Sequence, residues 1–276
     1  MKYCQIKRLS STSFKRITGV NRRTYQLMVR QVKGKKAEHK KPGRPPELII
    51  EDQVLVALQY WREYRTYLHI GSDFGVAEST ACRIVHKVEN ILIKSRLFSL
   101  PGKKKLLEPS ELKDVVVIDV MESPIERPQR HQKAFYSGKQ RKHTLKTQVV
   151  VELQTSRIIC LAHGKGKTHD FRLLKSSEVK FGLLLKVIAD KGYQGISKIH
   201  ELSQTPVKKP RVGKLTSSQK KSNRELNRLR IVIEHVNRRL KTFKILSERY
   251  RNRHRRLGLR AGLIAGIYNY ELSLKA

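Results

Sequence analysis

Three carboxylates stand in positions that suit metal-dependent chemistry on phosphate esters. Asp119 follows the apolar run 115–118, Asp190 follows the run 187–189, and Glu234 lies on a long predicted helix. An acid at the point where a buried strand leaves a sheet is rigidly held. Because two Mg²⁺ ions held by hard oxygen ligands stabilise both the attacking and the leaving oxygen, three such carboxylates suit phosphodiester cleavage.

Glu234 also has a purely structural interpretation. Arg230 and Arg238 stand one turn before and one turn after it. Taken alone, this spacing favours a ladder of surface ion pairs, each of which contributes about 0.3–0.5 kcal/mol.

Other polar residues compete for a place in the site. Asp170 is a rival second carboxylate, but it precedes a short predicted helix and suits an N-cap. Glu122 is near the first acid in sequence, and Pro124 two residues later favours a loop there. His163 and His169 lack a third soft ligand, so we do not expect a zinc site.

The apolar pattern from residue 115 onward predicts an α/β fold. We predict strands at 115–118, 145–153, 157–161 and 187–189, a short helix at 171–177 and a long helix at 222–246. Strand, hairpin, helix, strand and long helix, with acids at two strand ends, is the order of a ribonuclease-H-like mixed sheet flanked by helices. We place this domain at 112–270.

A small all-α domain is expected before the sheet, at 48–95. Its predicted helices cover about 51–64 and 66–73, and a third begins near Glu78. Gly75 suits the positive φ of a tight turn between helices, and Gly71 permits a close approach of two helices. This pattern is typical of a helix-turn-helix; the alternative is a three-helix domain that does not touch DNA.

The third helix of this domain carries the candidate base-contacting residues. If it enters a major groove, its N-terminal half faces the bases, and Ser79, Thr80 and Arg83 lie there. Ala77 stands where such motifs often have a capping Ser or Thr. Ser79 or water must therefore satisfy the first amides of this helix.

The overall charge favours a polyanionic partner. The chain of 276 residues has a net charge of +37 and 38% hydrophobic residues, which indicates a folded, strongly basic protein. Nucleic acid is the commonest polyanion, whereas a ribosomal-type protein or a binder of anionic membranes is the alternative. We predict a basic arm and linker at 1–47, in which Arg44 is a candidate DNA contact.

The sequence contains no sign of secretion or of a membrane span. It has no sufficiently long apolar run and no apolar segment of a signal peptide near the start. Cys4, Cys82 and Cys160 are odd in number and widely spaced, which favours neither a disulfide framework nor a zinc knuckle. We therefore expect a cytoplasmic protein without a membrane partner, associated with the nucleoid if the source is bacterial.

Four ordered motifs resemble those of the insertion-sequence transposases of the DDE type. They are the segments 119–128, 136–146, 189–195 and 230–235, which contain the sequences DVMESPIERP, YSGK followed by HTLK, ADKGYQG and RIVIEH. The likeness runs from about residue 45 to residue 270, and the IS-five branch, which has an N-terminal helix-turn-helix, is the most similar.

The resemblance implies roles for individual residues. Asp119, Asp190 and Glu234 would be the metal-binding catalytic triad, acting through Mg²⁺ or Mn²⁺. Arg230 would belong to the signature in which an Arg precedes the Glu by four positions, although Asn227 replaces the Tyr of that signature. The candidate DNA-binding residues near the triad are Lys191, Tyr193, Arg230, Arg238 and Lys241.

The resemblance also implies an activity. The protein would bind the double-stranded terminal inverted repeats of its mobile element, hydrolyse a phosphodiester at each end and join the released 3′-OH to target DNA. Holding two ends together implies a homodimer or a larger synaptic assembly. The main alternative is a helix-turn-helix remnant with an inactive catalytic domain that serves as a regulator; a ribosomal or histone-like protein has no need of Asp at two strand ends.

Overall fold

The computed structural model describes residues 1–38, 45–107, 115–210, 212–252 and 255–274. The chain forms two compact units. The helical unit comprises Met1–Ser99, Leu240–Glu248 and Leu259–Ala276, and the sheet unit comprises Leu100–Arg239 and Arg249–Gly258. Within the described ranges, no helix is both long enough and apolar enough to cross a membrane.

The described residues before Ser99 form the helices α1 (Tyr3–Ile6), α2 (Ser11–Thr18), α3 (Arg22–Glu38), α4 (Ile50–Arg62), α5 (Tyr67–Phe74) and α6 (Glu78–Lys94). Helix α4 is central and packs against α2, α3, α5 and α6. Its side chains Val54, Leu58 and Trp61, spaced three and four residues apart, are buried. The three predicted helices of this region are therefore present.

The turn between α5 and α6 has the predicted geometry. Gly75 ends α5 with φ of 76°, a conformation that glycine adopts without strain. A Cβ on Gly71 would lie 2.5 Å from the carbonyl oxygen of Val76, so only glycine fits there. Ala77 begins α6 without a side-chain cap.

The N-terminal segment differs from the prediction. Residues 3–38 form three helices instead of a basic arm, because Phe14, Tyr25 and Met28 supply a buried apolar face. The ammonium group of Lys15 also lies 2.5 Å from a carboxylate oxygen of Glu271. Residues 39–44 of the predicted linker, including Arg44, lie outside the described residues.

The described residues of the sheet unit form six strands and the helices α7, α8 and α9, and helix α10 begins within its last residues. The elements are β1 (Val115–Pro124), α7 (Gln132–Phe135), β2 (Tyr136–Ser137), β3 (Lys142–Glu152), β4 (Ile158–Lys165), α8 (Asp170–Ser176), β5 (Lys186–Ala189), β6 (Ser203–Gln204), α9 (Ser217–Leu240) and α10 (Leu257–Ser273). Each predicted strand and helix has a counterpart in this order.

The strand order is that of a ribonuclease-H-like sheet. The strands follow the path β2-β3-β1-β5-β6, and β4 also pairs with β3. Strand β1 is antiparallel to β3 and parallel to β5, and β5 is parallel to β6. The predicted mixed sheet with flanking helices is confirmed.

Candidate active site

The two strand-end acids are neighbours in the sheet. Ile118 of β1 pairs with Ala189 of β5 in parallel register, so the residues that follow them lie at the same edge. Asp119 remains in β1, which is still paired with β3 there. Asp190 follows the end of β5, and its carboxylate accepts a hydrogen bond of 2.6 Å from the amide of Lys191.

One buried guanidinium joins the two acids. The Nη1 atom of Arg230 lies 3.4 Å from Oδ1 of Asp190, and its Nη2 atom lies 3.9 Å from Oδ1 of Asp119. Arg230 is 9% exposed, and its Nε atom is buried without a hydrogen-bond partner in the described structure. The prediction that Arg230 contacts DNA is not supported, because its guanidinium faces the carboxylates.

The local electrostatics disfavour the ionised form of the first acid. Burial raises the pKa of Asp119 to about 6, and the negative charges of Asp190 and Asp170 act in the same direction. The amide of Val120 and the guanidinium of Arg230 oppose this shift. A cation beside Asp119 would therefore stabilise the ionised form of its carboxylate.

Helix α9 brings a residue to Asp119 that sequence reasoning missed. The amide Nδ2 of Asn237 donates a hydrogen bond of 3.1 Å to Oδ2 of Asp119. Asn237 stands seven residues after Arg230, so the two lie within about 20° of each other on the helix. This seven-residue spacing, which places two side chains on the same side of a helix, can be read from the sequence.

Glu234 occupies a different angular position on the same helix. It lies about 40° from Arg230 and about 60° from Asn237, and it is exposed. Over the described ranges of the chain, no three His, Cys, Asp or Glu side chains are grouped closely enough to hold a metal ion. The structure thus brings Asp119 and Asp190 together, without Glu234.

A second charged network lies on β1 and β3. The Nζ atom of buried Lys146 lies 2.8 Å from Oδ1 of Asp170 and 3.9 Å from Oε1 of Glu122. Thr144 donates a hydrogen bond to Glu122. Two predictions are wrong here. Glu122 lies in β1 and not in a loop. Asp170 is not the N-cap of α8, because His169 occupies that position and Asp170 pairs with Lys146.

The remaining candidates near the acids differ in their accessibility. Lys191, Arg238 and Lys241 are exposed, so their side chains are accessible to the phosphates of DNA. Tyr193 is fully buried, and its hydroxyl donates to Oε1 of Gln148 at 3.2 Å. The prediction that Tyr193 binds DNA is therefore wrong, because its hydroxyl is used within the core.

The candidate recognition residues lie on α6. Ser79 and Arg83 are exposed and Thr80 is half-buried. The guanidinium of Arg83 donates to the Ser79 carbonyl and to the Thr80 hydroxyl, both at 3.3 Å. Thr80 and Arg83, together with Lys87 one turn further along α6, line a groove with a volume of about 520 Å³.

Comparison with known proteins identifies the family. The family model described as DDE superfamily endonuclease matches residues 118–269, and the helix-turn-helix of DDE superfamily endonuclease matches residues 46–97. The chain belongs to the DDE superfamily of endonucleases. The resemblance to DDE-type transposases inferred from the four motifs is thereby confirmed at the level of the superfamily.

Two relatives carry names that agree with this family. A probable transposase for insertion sequence element IS702 from Microchaete diplosiphon is 66% identical over 276 residues, which cover 100% of both chains. A putative transposase for insertion sequence element IS112 from Streptomyces albus G is 26% identical over 234 residues, which cover 84% of each chain.

The DDE family implies a divalent metal, and the donor atoms present fit one. Asp119 and Asp190 supply carboxylate oxygens, the ligands that Mg²⁺ and Mn²⁺ prefer. A single guanidinium already holds both acids, which indicates that the pair requires positive charge. The buried Oδ1 of Asn237, which has no partner in the described structure, is a further hard oxygen beside them.

Proposed function

We propose that this protein is the transposase of an insertion sequence, which binds the terminal inverted repeats of its element and catalyses metal-dependent strand cleavage and strand transfer. The names of the two relatives support this proposal. Since two ends must be processed together, we expect a dimer or a larger assembly on DNA in the nucleoid.

One observation carries the proposal. Asp119 and Asp190 leave adjacent parallel strands at the same edge and share the guanidinium of Arg230. An ion-pair network that served stability alone would not need two acids at the ends of buried strands. In a DDE endonuclease, this placement supports a role for both acids in catalysis.

The acids would act by holding divalent metal. Asp119, Asp190 and Glu234 are the proposed ligands, and bound Mg²⁺ or Mn²⁺ would stabilise the attacking and leaving oxygens. The sheet fixes Asp119 and Asp190, while α9 carries Glu234. No Ser or Tyr nucleophile of the protein is required, and no covalent protein–DNA intermediate forms.

DNA recognition is assigned to the helical unit and to three exposed basic side chains, which are Lys191, Arg238 and Lys241. Ser79, Thr80 and Arg83 would contact bases in a major groove, because they lie on the N-terminal half of α6. Lys191, Arg238 and Lys241 would contact phosphates, since all three are exposed.

A cleavage assay tests the activity. Labelled duplexes that carry the authentic ends of the element are incubated with Mg²⁺, with EDTA, and with the Asp190→Ala and Asp119→Asn variants. We expect metal-dependent nicking that leaves a 3′-OH and is lost in both variants, with DNA binding retained. Glu234→Gln tests the third proposed ligand in the same way.

The opposite result would favour another function. Salt-sensitive binding to authentic ends without nicking by the unmodified protein would indicate a DNA-binding remnant that acts as a regulator. Nicking at a normal rate by Asp119→Asn would remove this acid from the mechanism.

A further inference from the structure

We propose that Asn237 is part of the cation site: its amide, which donates to Asp119, presents its oxygen as a neutral ligand when a divalent cation is bound. The inference rests on the proposed function, since it concerns the same site. It assigns a role to a residue outside the three acids.

The contacts of Asn237 are unusual for a structural asparagine. Its Nδ2 atom donates to Asp119 at 3.1 Å, and the residue is only 9% exposed. Its Oδ1 atom is buried and has no hydrogen-bond partner in the described part of the chain. Buried side-chain oxygens are nearly always paired, so an unpaired one beside a carboxylate indicates an absent partner.

The chemistry of an amide suits both states of the site. Its NH₂ group can donate to a carboxylate, and its carbonyl oxygen is a hard acceptor of the kind that Mg²⁺, Mn²⁺ and Ca²⁺ bind. Rotation of the amide exchanges these two groups without moving the backbone. A neutral oxygen also completes a coordination shell without adding negative charge beside Asp119 and Asp190.

The position of Asn237 on α9 supports the same conclusion. Asn237 and Arg230 lie two turns apart on the side of the helix that contacts the acids. The guanidinium of Arg230 lies near both carboxylates, and Asn237 contacts one of them directly. Binding of a cation by the two acids would therefore change the contacts of both Arg230 and Asn237.

The test measures Mn²⁺ binding to the full-length protein without DNA, by electron paramagnetic resonance of free Mn²⁺. The variants are Asn237→Leu, which removes the amide at similar volume, and Asn237→Asp, which keeps an oxygen ligand but removes the donor. Ser222→Leu is the control, because Ser222 is an exposed, uncharged residue on the same helix. Circular dichroism establishes that each variant is folded.

The expected result separates a ligand from a purely structural residue. Asn237→Leu should weaken Mn²⁺ binding by about ten- to a hundredfold. Asn237→Asp should bind Mn²⁺ at least as tightly as the unmodified protein, because its carboxylate replaces the amide oxygen. Ser222→Leu should bind Mn²⁺ normally.

Two results would overturn the inference. Wild-type affinity in Asn237→Leu would exclude Asn237 from the site, and equal weakening in Asn237→Leu and Asn237→Asp would mean that only the hydrogen bond to Asp119 matters. Asp119→Asn distinguishes the two proposals. If Asp119→Asn loses Mn²⁺ binding and Asn237→Leu does not, the metal site stands and only the role of Asn237 fails; if Asp119→Asn binds normally, the metal site itself fails.

Discussion

Glu89 and Arg260 form an ion pair that is completely shielded from solvent. The Nε atom of Arg260 lies 2.6 Å from Oε1 of Glu89, and both side chains are 0% exposed. The indole of Trp61 donates to the same carboxylate oxygen at 3.0 Å, and the guanidinium lies 5.0 Å from the ring centre of Tyr60. The pair therefore joins α6 to α10 inside the helical unit.

Removal of one partner of this pair should strongly destabilise the helical unit. Arg260→Met leaves Glu89 buried without its cation, and we expect a loss of about 3–5 kcal/mol in the free energy of unfolding. Lys33→Met is the control: it breaks the more exposed pair with Glu51 and should cost at most about 1 kcal/mol. Urea denaturation followed by tryptophan fluorescence measures both, and equal losses would contradict the expectation.

Gly71→Ala should damage the helix-turn-helix. The added Cβ would meet the carbonyl oxygen of Val76 at 2.5 Å, and we expect a cost of about 1–3 kcal/mol together with weaker DNA binding. Gly34→Ala is a matched helical control, because nothing lies within 4 Å of its Cβ. It should stabilise α3 by about 0.5–1 kcal/mol. Thermal melting compares the two, and the prediction fails if Gly71→Ala melts no lower than the unmodified protein.

Tyr193→Phe should affect stability and leave DNA affinity unchanged. The substitution removes the hydrogen bond to buried Gln148 and leaves the Gln148 oxygen unpaired, at a cost of about 1–3 kcal/mol. Denaturant unfolding and fluorescence anisotropy with labelled DNA measure the two properties. A drop in DNA affinity without a loss of stability would restore Tyr193 as a DNA contact.

The three cysteines should differ widely in reactivity toward a thiol reagent at pH 8. Burial raises the pKa of Cys160 to about 12, so its thiolate fraction is lower than that of an ordinary thiol by a factor on the order of a thousand. Cys4 is exposed and should react first. Cys4→Ser should abolish the fast phase, whereas Cys160 should react only after denaturant is added. Rapid labelling of Cys160 in the native protein, located by mass spectrometry, is the contrary outcome.

Arg83 and Arg238 should contribute differently to DNA binding. Arg83→Ala should lower affinity for authentic ends by about 1–3 kcal/mol and reduce discrimination against a scrambled duplex. Arg238→Ala should weaken binding to both duplexes equally and reduce the slope of log K against log salt by about one. Anisotropy titrations at several salt concentrations measure these effects. Equal effects of Arg83→Ala on both duplexes would remove Arg83 from base recognition.

The placement of two acids could be predicted because strand burial leaves a strong pattern. A strand covered on both faces reads as a continuous apolar run, and the runs before Asp119 and Asp190 are of this kind. Parallel pairing then brings their ends to one edge. The sequence was therefore sufficient to predict the fold and the placement of Asp119 and Asp190 at one edge of the sheet.

The rotational phase of α9 could not be read with the same accuracy. Leu226, Leu229, Ile233 and Val236 recur every three or four residues, which predicts one apolar stripe along α9. Leu229 is nevertheless 40% exposed, whereas Ile233 is fully buried. Glu234 and Arg230 lie about 40° apart around the axis of α9. The sequence pattern does not determine the orientation of the helix with that accuracy. Packing against the sheet decided that Asn237 contacts Asp119.

The N-terminal helices were missed for a different reason. Lysine and arginine dominate this segment, and their number obscured the apolar positions Phe14, Tyr25 and Met28. Long basic side chains occupy the outer face of a helix without preventing the burial of its inner face. The net charge favoured a polyanionic partner, but it did not indicate which segments form helices.

The discontinuous make-up of the helical unit has a consequence for biosynthesis. The segments Leu240–Glu248 and Leu259–Ala276 belong to the same unit as α6, although the sheet unit lies between them and α6 along the chain. The ribosome therefore adds Arg260, the buried partner of Glu89, only after the whole sheet unit has been synthesised. A prematurely terminated polypeptide would lack this partner and would leave Glu89 buried without its cation, so we expect such fragments to be less stable than the full-length protein.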